Sequence, residues 1–331
     1  MEEQAAVDFV HENGQHVMDP GAIERGGLNH SALEALLLDP GTLGGHVIPG
    51  LMLLLFGFLW TFNILYKYHV ARKGAILLGR SNYTLHYRSR LFSTHHTGHC
   101  TNSSVEAYVM VICTTLGFIG EIIMGFSGGE FVVISNTHHM CMYFFYGLTA
   151  LTHILMCRKH PIPADSDYAM FIVACIVKAL LFQGHVNGRE PINAQVHMFL
   201  VYAILLTTMF TLMELAAPRN VLPSLGRTFC ILVQGYWFCT AGFILYPPSF
   251  MPTWDDHNRA QMALLPTLFV VNIAVTCVSA LAINYVVASR VNSINAQTIS
   301  RILNNSEKRG PHTLLNNETG KPLISDSDCE C

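Results

Sequence analysis

Charge is scarce in this sequence. Asp, Glu, Lys and Arg make up 12% of the 331 residues, where a soluble domain carries about a quarter. So few charges cannot clothe a water-facing surface of this size, so much of that surface is expected to meet lipid. The net charge is only −3. No basic stripe interleaved with aromatics occurs, which argues against a nucleic-acid partner. An apolar leader is also lacking, because Met1 is followed by Glu2, Glu3 and Asp8. No cleavable signal peptide is therefore expected, and the first apolar helix is left to act as the targeting signal. Cysteines number ten, yet none falls in a segment assigned below to the exoplasmic side, so no disulfide framework is expected there. Those inside apolar runs (Cys113, Cys141, Cys157, Cys175, Cys230, Cys239 and Cys277) read as small hydrophobes.

What the chain has instead is apolar length. Hydrophobic residues make up 51%, and a membrane span needs roughly 20 mostly apolar residues. Seven windows qualify, at about 47–66, 105–126, 139–157, 168–186, 195–216, 228–246 and 263–288. Ten-residue stretches of alternating polarity are missing, which excludes a transmembrane barrel. The fold class is all-α, a polytopic bundle of seven transmembrane helices. Lys178 and Glu214 lie within spans four and five, and such charges are expected to face the bundle interior.

Basic residues set the orientation. Lys67, Arg72, Lys73, Arg80, Arg88 and Arg90 follow span one, and Arg158 and Lys159 follow span three. Arg219 and Arg227 follow span five, and Arg290, Arg301, Lys308, Arg309 and Lys321 follow span seven. That is fifteen on one side, against Arg25, Arg189 and Arg259 on the other. The N-terminus is therefore expected outside or in a lumen, and the C-terminus in the cytosol, in the endomembrane system or the plasma membrane. Residues 1–46 read as an acidic exoplasmic segment with one short helix near 31–38, residues 47–288 as the transmembrane domain, and residues 289–331 as a disordered cytosolic tail. Its Cys329 and Cys331 fit a sorting or acylation segment. Asn29 heads a glycosylation sequon on the outer side. The sequons at Asn82 and Asn102 fall on the cytosolic side and are expected to stay bare.

Seventeen histidines are present, and their placement matters more than their number. His46 opens span one, Glu121 lies near the outer end of span two, and His139 lies in the first turn of span three. His185 closes span four and His197 sits in the first turn of span five. Five groups distant in sequence thus reach a similar depth beneath the outer face. Imidazoles with one carboxylate are the ligands of zinc or a similar divalent metal. Zinc takes three or four of them, leaving one of the five to orient a ligand. An open position would support a metal-bound water. Any one of these histidines alone is explained by an ordinary half-solvated helix end. His138 and His153 show no partner in the sequence and are not assigned to the site. His95, His96, His99 and Cys100 cluster in the loop after span one, where a polar loop is the cheaper explanation. Glu214 has Arg219 five residues on as a candidate partner for a buried pair or inner gate, though an interfacial glutamate is the cheaper explanation. Gln234, Trp237 and Asn272 either line a cavity or join helices, and Trp237 and Trp254 fit interface anchors.

Several strings carry a resemblance. They are Gly45-His46-Val47-Ile48-Pro49-Gly50, His139-Met140-Cys141-Met142-Tyr143, Gly184-His185 through Pro191 followed by His197, and Met213-Glu214. The most specific is Gln234-Gly235-Tyr236-Trp237 with Pro247-Pro248 and Trp254-Asp255 after it. In this order and spacing the chain resembles the transmembrane protein 45 family from about 46 to 288. The resemblance implies seven membrane helices with the named histidines and Glu121 at matching positions. It departs at Asn187, where the family carries a histidine, and in its longer N-terminal segment and first loop. Three functions compete. One is a membrane-embedded, metal-dependent hydrolase acting on a lipid or amphiphilic substrate. Another is a structural or trafficking protein whose His/Glu cluster caps the helix ends. The third is a proton-coupled transporter or receptor, against which stand the lack of an inverted repeat and a short loop after span five.

Overall fold

The computed structural model describes residues 41–307 apart from 42, 78, 80–86, 88–104, 128–129, 132–133, 159 and 187–188. The expected helix near 31–38, the three sequons, the His95–Cys100 cluster and the last 24 residues lie outside the described residues. Seven helices are long and apolar enough to cross a membrane. They are α1 (Leu43–Leu77), α2 (Val105–Gly125), α3 (Ile134–Cys157), α4 (Ser166–His185), α5 (Pro191–Ala216), α6 (Val221–Leu245) and α7 (Arg259–Ser293). Each contains one of the windows read from hydropathy, to within a residue or two. A two-residue antiparallel pairing, β1 (Phe126–Ser127) with β2 (Glu130–Phe131), joins α2 to α3.

The helices pack in sequence order from α2 to α6, and α1 packs against α6. Helix α7 lies against α1, α6 and α5. Helix α6 holds the centre, with Ile231, Leu232, Val233, Trp237 and Ala241 all buried. The outward surface is apolar in the opposite sense. Leu116, Val278, Leu281 and Tyr285 are all more than 60% exposed, an arrangement stable only against acyl chains. The chain is an integral, multi-pass membrane protein.

Close helix contact has a specific cause where α1 meets α6. A Cβ at Gly50 would stand 2.7 Å from Cys239 Sγ and 3.0 Å from the Gly235 carbonyl oxygen. A Cβ at Gly235 would meet Leu54 N at 2.9 Å and the Gly50 carbonyl oxygen at 3.0 Å. Paired glycines thus let two backbones touch, the usual device where lipid supplies no hydrophobic drive between helices.

The outer helices run further than a bilayer requires. Helices α1 and α7 have 35 residues each, about 52 Å of rise against a hydrocarbon core of roughly 30 Å. Their far ends carry a structure that composition does not reveal. The tail expected to be disordered from 289 instead completes α7 and forms α8 (Ala296–Glu307). Ile299 and Leu303 of α8 are buried with Leu65, Val70, Val287 and Val291. An amphipathic stripe two turns long was hidden in a segment polar on average.

Candidate functional site

The five predicted ligands meet at one end of the bundle, where α1, α3 and α5 begin and α2 and α4 end. His46 is buried in the first turn of α1. A Cβ at Gly242 of α6 would lie 3.0 Å from its Cβ, so a glycine admits it. The His46 ring stands 5.9 Å from that of His197, His197 stands 5.4 Å from His185, and His185 stands 5.7 Å from His139. His139 Nδ1 lies 3.3 Å from Glu121 Oε1. The result is an unbroken row, His46–His197–His185–His139–Glu121, drawn from five helices. His138, not assigned from sequence, flanks it with its ring 6.0 Å from His185. Phe182 stacks on His197 at 5.8 Å, and Tyr246 packs on His46 at 5.3 Å.

Hydrogen bonds settle part of the tautomer pattern. His197 Nδ1 donates to the Asn193 carbonyl at 2.8 Å, which makes Nε2 the nitrogen that carries the lone pair in the neutral ring. Arg189 Nη2 donates to His185 Nε2 at 2.9 Å. The His139–Glu121 contact is close enough for an ion pair but misses hydrogen-bond alignment, so His139 Nδ1 and Glu121 Oε2 are both buried and unmatched. Asn136 Oδ1, His138 Nδ1 and Asn193 Oδ1 at the same end are buried and unmatched too. Asn136 Nδ2 donates to the Glu121 carbonyl at 3.1 Å and so fixes α3 against α2. As the side chains stand, no three His, Cys, Asp or Glu among the described residues form a metal-binding group.

A second polar system lies deeper in the bundle. Lys178 does face the interior, and its Nζ donates to Gln234 Oε1 at 3.0 Å. Gln234 Nε2 in turn donates to Thr207 Oγ1 at 2.7 Å. Towards the opposite end Glu214 is fully buried, but its partner is not Arg219. Arg227 Nε donates to Glu214 Oε2 at 2.6 Å, and Tyr168 OH donates to Glu214 Oε1 at 3.0 Å. Reading Arg227 as a loop cation was therefore a misplacement. Helix α6 starts at Val221 and carries Arg227 inward over the rings of Trp60 and Phe171. Trp237 is likewise no interface anchor. It is wholly buried, and Nε1 donates to the Val196 carbonyl at 2.9 Å. Of the two roles open to Asn272, joining helices is the one seen, since its Oδ1 accepts from Thr240 of α6 at 3.1 Å.

His153 departs most from the sequence reading. It has partners on both ring nitrogens: Asp167 Oδ2 lies 3.0 Å from Nδ1, and Cys157 Sγ lies 3.6 Å from Nε2. The four-residue spacing of His153 and Cys157, one helical turn on one face, was a usable signal. Asp167 comes from the next helix across a short loop, and that juxtaposition has no signature in the sequence.

Comparison with known proteins gives a partial family match and distant relatives, and no activity. Residues 165–286, from the start of α4 into α7, match a family of unknown function (DUF716). The chain is 24% identical over 260 residues to transmembrane epididymal protein 1 of Rattus norvegicus, a match covering 73% of this chain and 80% of that protein. It is 24% identical over 259 residues to transmembrane epididymal protein 1A of Mus musculus, with the same coverage. A shorter match, 33% identical over 90 residues, links it to transmembrane epididymal protein 1 of Homo sapiens and covers 27% of this chain and 33% of that protein. The chain is thus similar to proteins named as transmembrane, and about a third of it matches a family without an assigned function.

Proposed function

We propose that the histidine row takes up one divalent metal ion of the zinc class, with His139, His185 and His197 as ligands. Glu121 then orients His139, and His46 stands behind His197 to fix its position. The observation carrying this reading is the set of five buried, unmatched polar atoms gathered at this end, on Glu121, Asn136, His138, His139 and Asn193. Native proteins leave few such atoms unpaired, and a concentration of them marks a place where an ion or water binds. Ring spacing supports the same reading. Two imidazoles bound tetrahedrally at about 2.0–2.1 Å hold their ring centres roughly 5 Å apart. The His185 ring lies 5.4 and 5.7 Å from its two neighbours, so small side-chain rotations close the set.

The surplus of basic residues at the other end supports an exoplasmic placement of this end, with the N-terminus outside and the tail in the cytosol. A metal there would lie near the headgroups of the outer leaflet. Bound metal would supply an activated water and a Lewis acid, chemistry suited to hydrolysis of a lipid-like substrate. Membership of the transmembrane protein 45 branch belongs to the same proposal, carried by the strings around Gly50, His185 and Gln234.

The test is elemental analysis of the purified full-length protein after loading with zinc and removal of free metal. About one ion per chain is expected for wild type, and its loss in His139→Ala and His185→Ala. Full metal content in both variants would sink the proposal. The competing reading, a self-contained hydrogen-bonded cap, draws on the partners already present at His197 and His185. It predicts no metal in wild type and reduced thermal stability in the same variants.

A further inference from the structure

At the opposite end of the bundle, where α3 ends and α4 begins, a thiol, an imidazole and a carboxylate stand in line. Cys157 Sγ is 3.6 Å from His153 Nε2, and His153 Nδ1 is 3.0 Å from Asp167 Oδ2. His153 and Asp167 are 2% and 1% exposed, whereas Cys157 is only half-buried. The carboxylate is itself held, since Oδ1 accepts from the backbone N–H of Tyr168 at 3.0 Å. In the tautomer with Nδ1–H donating to Asp167, Nε2 carries the lone pair that faces the thiol and can take its proton. A nucleophile, a base within reach of it and a third group orienting the base together define an activated cysteine. Cys157 is the half-buried member of the three, set at the imidazole nitrogen opposite the one that meets the carboxylate.

We propose that Cys157, His153 and Asp167 form a second site, in which the Cys157 thiol takes a long-chain acyl group from a thioester donor of the coenzyme A class. Position selects the substrate. Cys157 is the last residue of a membrane-spanning helix, so its sulfur sits where an acyl chain can lie among lipid while its thioester head reaches water. Arg158 follows it, exposed at the helix end with its guanidinium donating to Tyr108 OH at 2.6 Å, so a cation that suits an anionic carrier stands at this end of the bundle. The step balances without another reagent. Cys157 Sγ bonds to the acyl carbonyl carbon, and the donor's carbon–sulfur bond breaks. The thiol proton passes to His153 Nε2 and then to the departing thiolate. One thioester replaces another, and nothing is oxidised or reduced. His153 is the base, and Asp167 is a positioning residue.

The experiment uses the purified full-length chain carrying Cys329→Ser and Cys331→Ser, incubated with palmitoyl-coenzyme A and no other protein. Peptide mapping should find a hydroxylamine-labile acyl group on Cys157, lost in Cys157→Ser. The labelling rate should fall at least a hundredfold in His153→Gln, the lower end of general-base effects. It should also fall in Asp167→Asn and recover in part in Asp167→Glu. Unmodified Cys157 in the wild-type background overturns the proposal, as does labelling that requires an added transferase. Labelling of a folded His153→Gln at the wild-type rate overturns it too. Should the His153 and Asp167 variants fail to fold, the wild-type map decides alone. The site is remote from the histidine row, so loss of metal binding there leaves this result unchanged.

Discussion

Arg227 Nε sits 2.6 Å from Glu214 Oε2 inside the bundle, with both side chains out of reach of solvent. Tyr168 completes the carboxylate at 3.0 Å. Three helices, α4, α5 and α6, are joined through one carboxyl group. Removing one partner leaves a charge stranded in an apolar medium, which costs about 3–5 kcal/mol. Arg227→Gln and Glu214→Gln should therefore each lower the thermal midpoint sharply in detergent. The double variant Glu214→Leu/Arg227→Met, which strands no charge, should be more stable than either. Equal loss in all three would mean that packing, and not the ion pair, matters here.

Gly235 and Gly50 give a second test of what holds the helices together. A Cβ at Gly235 would press on the Leu54 nitrogen and the Gly50 carbonyl, backbone atoms that cannot swing aside. Gly235→Ala should thus force α1 from α6 and cost about 1–3 kcal/mol. Gly120→Ala, on the same class of helix with nothing within 4 Å of its Cβ, should be neutral or stabilise by up to about 1 kcal/mol through helix propensity. Thermal unfolding of the two variants side by side separates steric contact from propensity.

Helix count was readable because a span of some 20 apolar residues has few alternatives. The depth of the histidines was readable because rise per residue converts position into height. Partners across helices were not. Arg227 looked like a loop cation, since the sequence does not mark how far α6 extends before Thr228. His153 looked idle because Asp167 reaches it only through the turn between α3 and α4. Helix α8 was missed because its apolar residues, Ile299 and Leu303, are few and their acceptor surface belongs to α1 and α7. Each miss concerns a contact made by residues far apart in sequence or across a turn, and no local pattern encodes it.

Lys73 ties that last helix in place. Its ammonium donates to the carbonyls of Val291, Asn292 and Ile294 at 3.1, 2.9 and 2.6 Å. These carbonyls lie at the C-terminal end of α7, where the i+4 partner is missing, and that of Val291 also accepts from the Ile294 N–H at 3.1 Å. Lys73→Met should remove a C-terminal cap and about 1–2 kcal/mol of local stability. Hydrogen–deuterium exchange should rise in α8 and the last turn of α7 and stay unchanged in α5 and α6. Leu303→Asp should give the same pattern. Unaltered exchange in α8 would show that it docks without either contact.

Orientation has a direct chemical test. If the histidine end faces the lumen, Asn29 is open to glycosylation, and Asn82 and Asn102 are not. Glycosidase treatment of the expressed protein should shift its mobility in wild type and not in Asn29→Gln. A shift that survives Asn29→Gln and disappears with Asn82→Gln or Asn102→Gln would reverse the topology and place the histidine row in the cytosol.

Arg189 bears on the proposed metal in a way that separates it from a mere cap. Its guanidinium holds His185 Nε2 at 2.9 Å, so the nitrogen best placed to bind an ion is engaged by a cation. In a hydrogen-bonded cap this contact is supportive, and Arg189→Ala weakens the structure. In a metal site it competes, because the ion must displace the guanidinium and bear its repulsion. A unit charge about 6 Å from a divalent ion repels it by ~2.8 kcal/mol at an effective dielectric of roughly 40, and solvent near this exposed group reduces that. Arg189→Ala should then tighten zinc binding by about threefold to tenfold in titrations of purified protein. The thermal midpoint at saturating zinc should rise further in Arg189→Ala than in wild type, and His185→Ala should abolish the response. Weaker zinc binding in Arg189→Ala would make the guanidinium an ally of the site and contradict the ligand set of His139, His185 and His197.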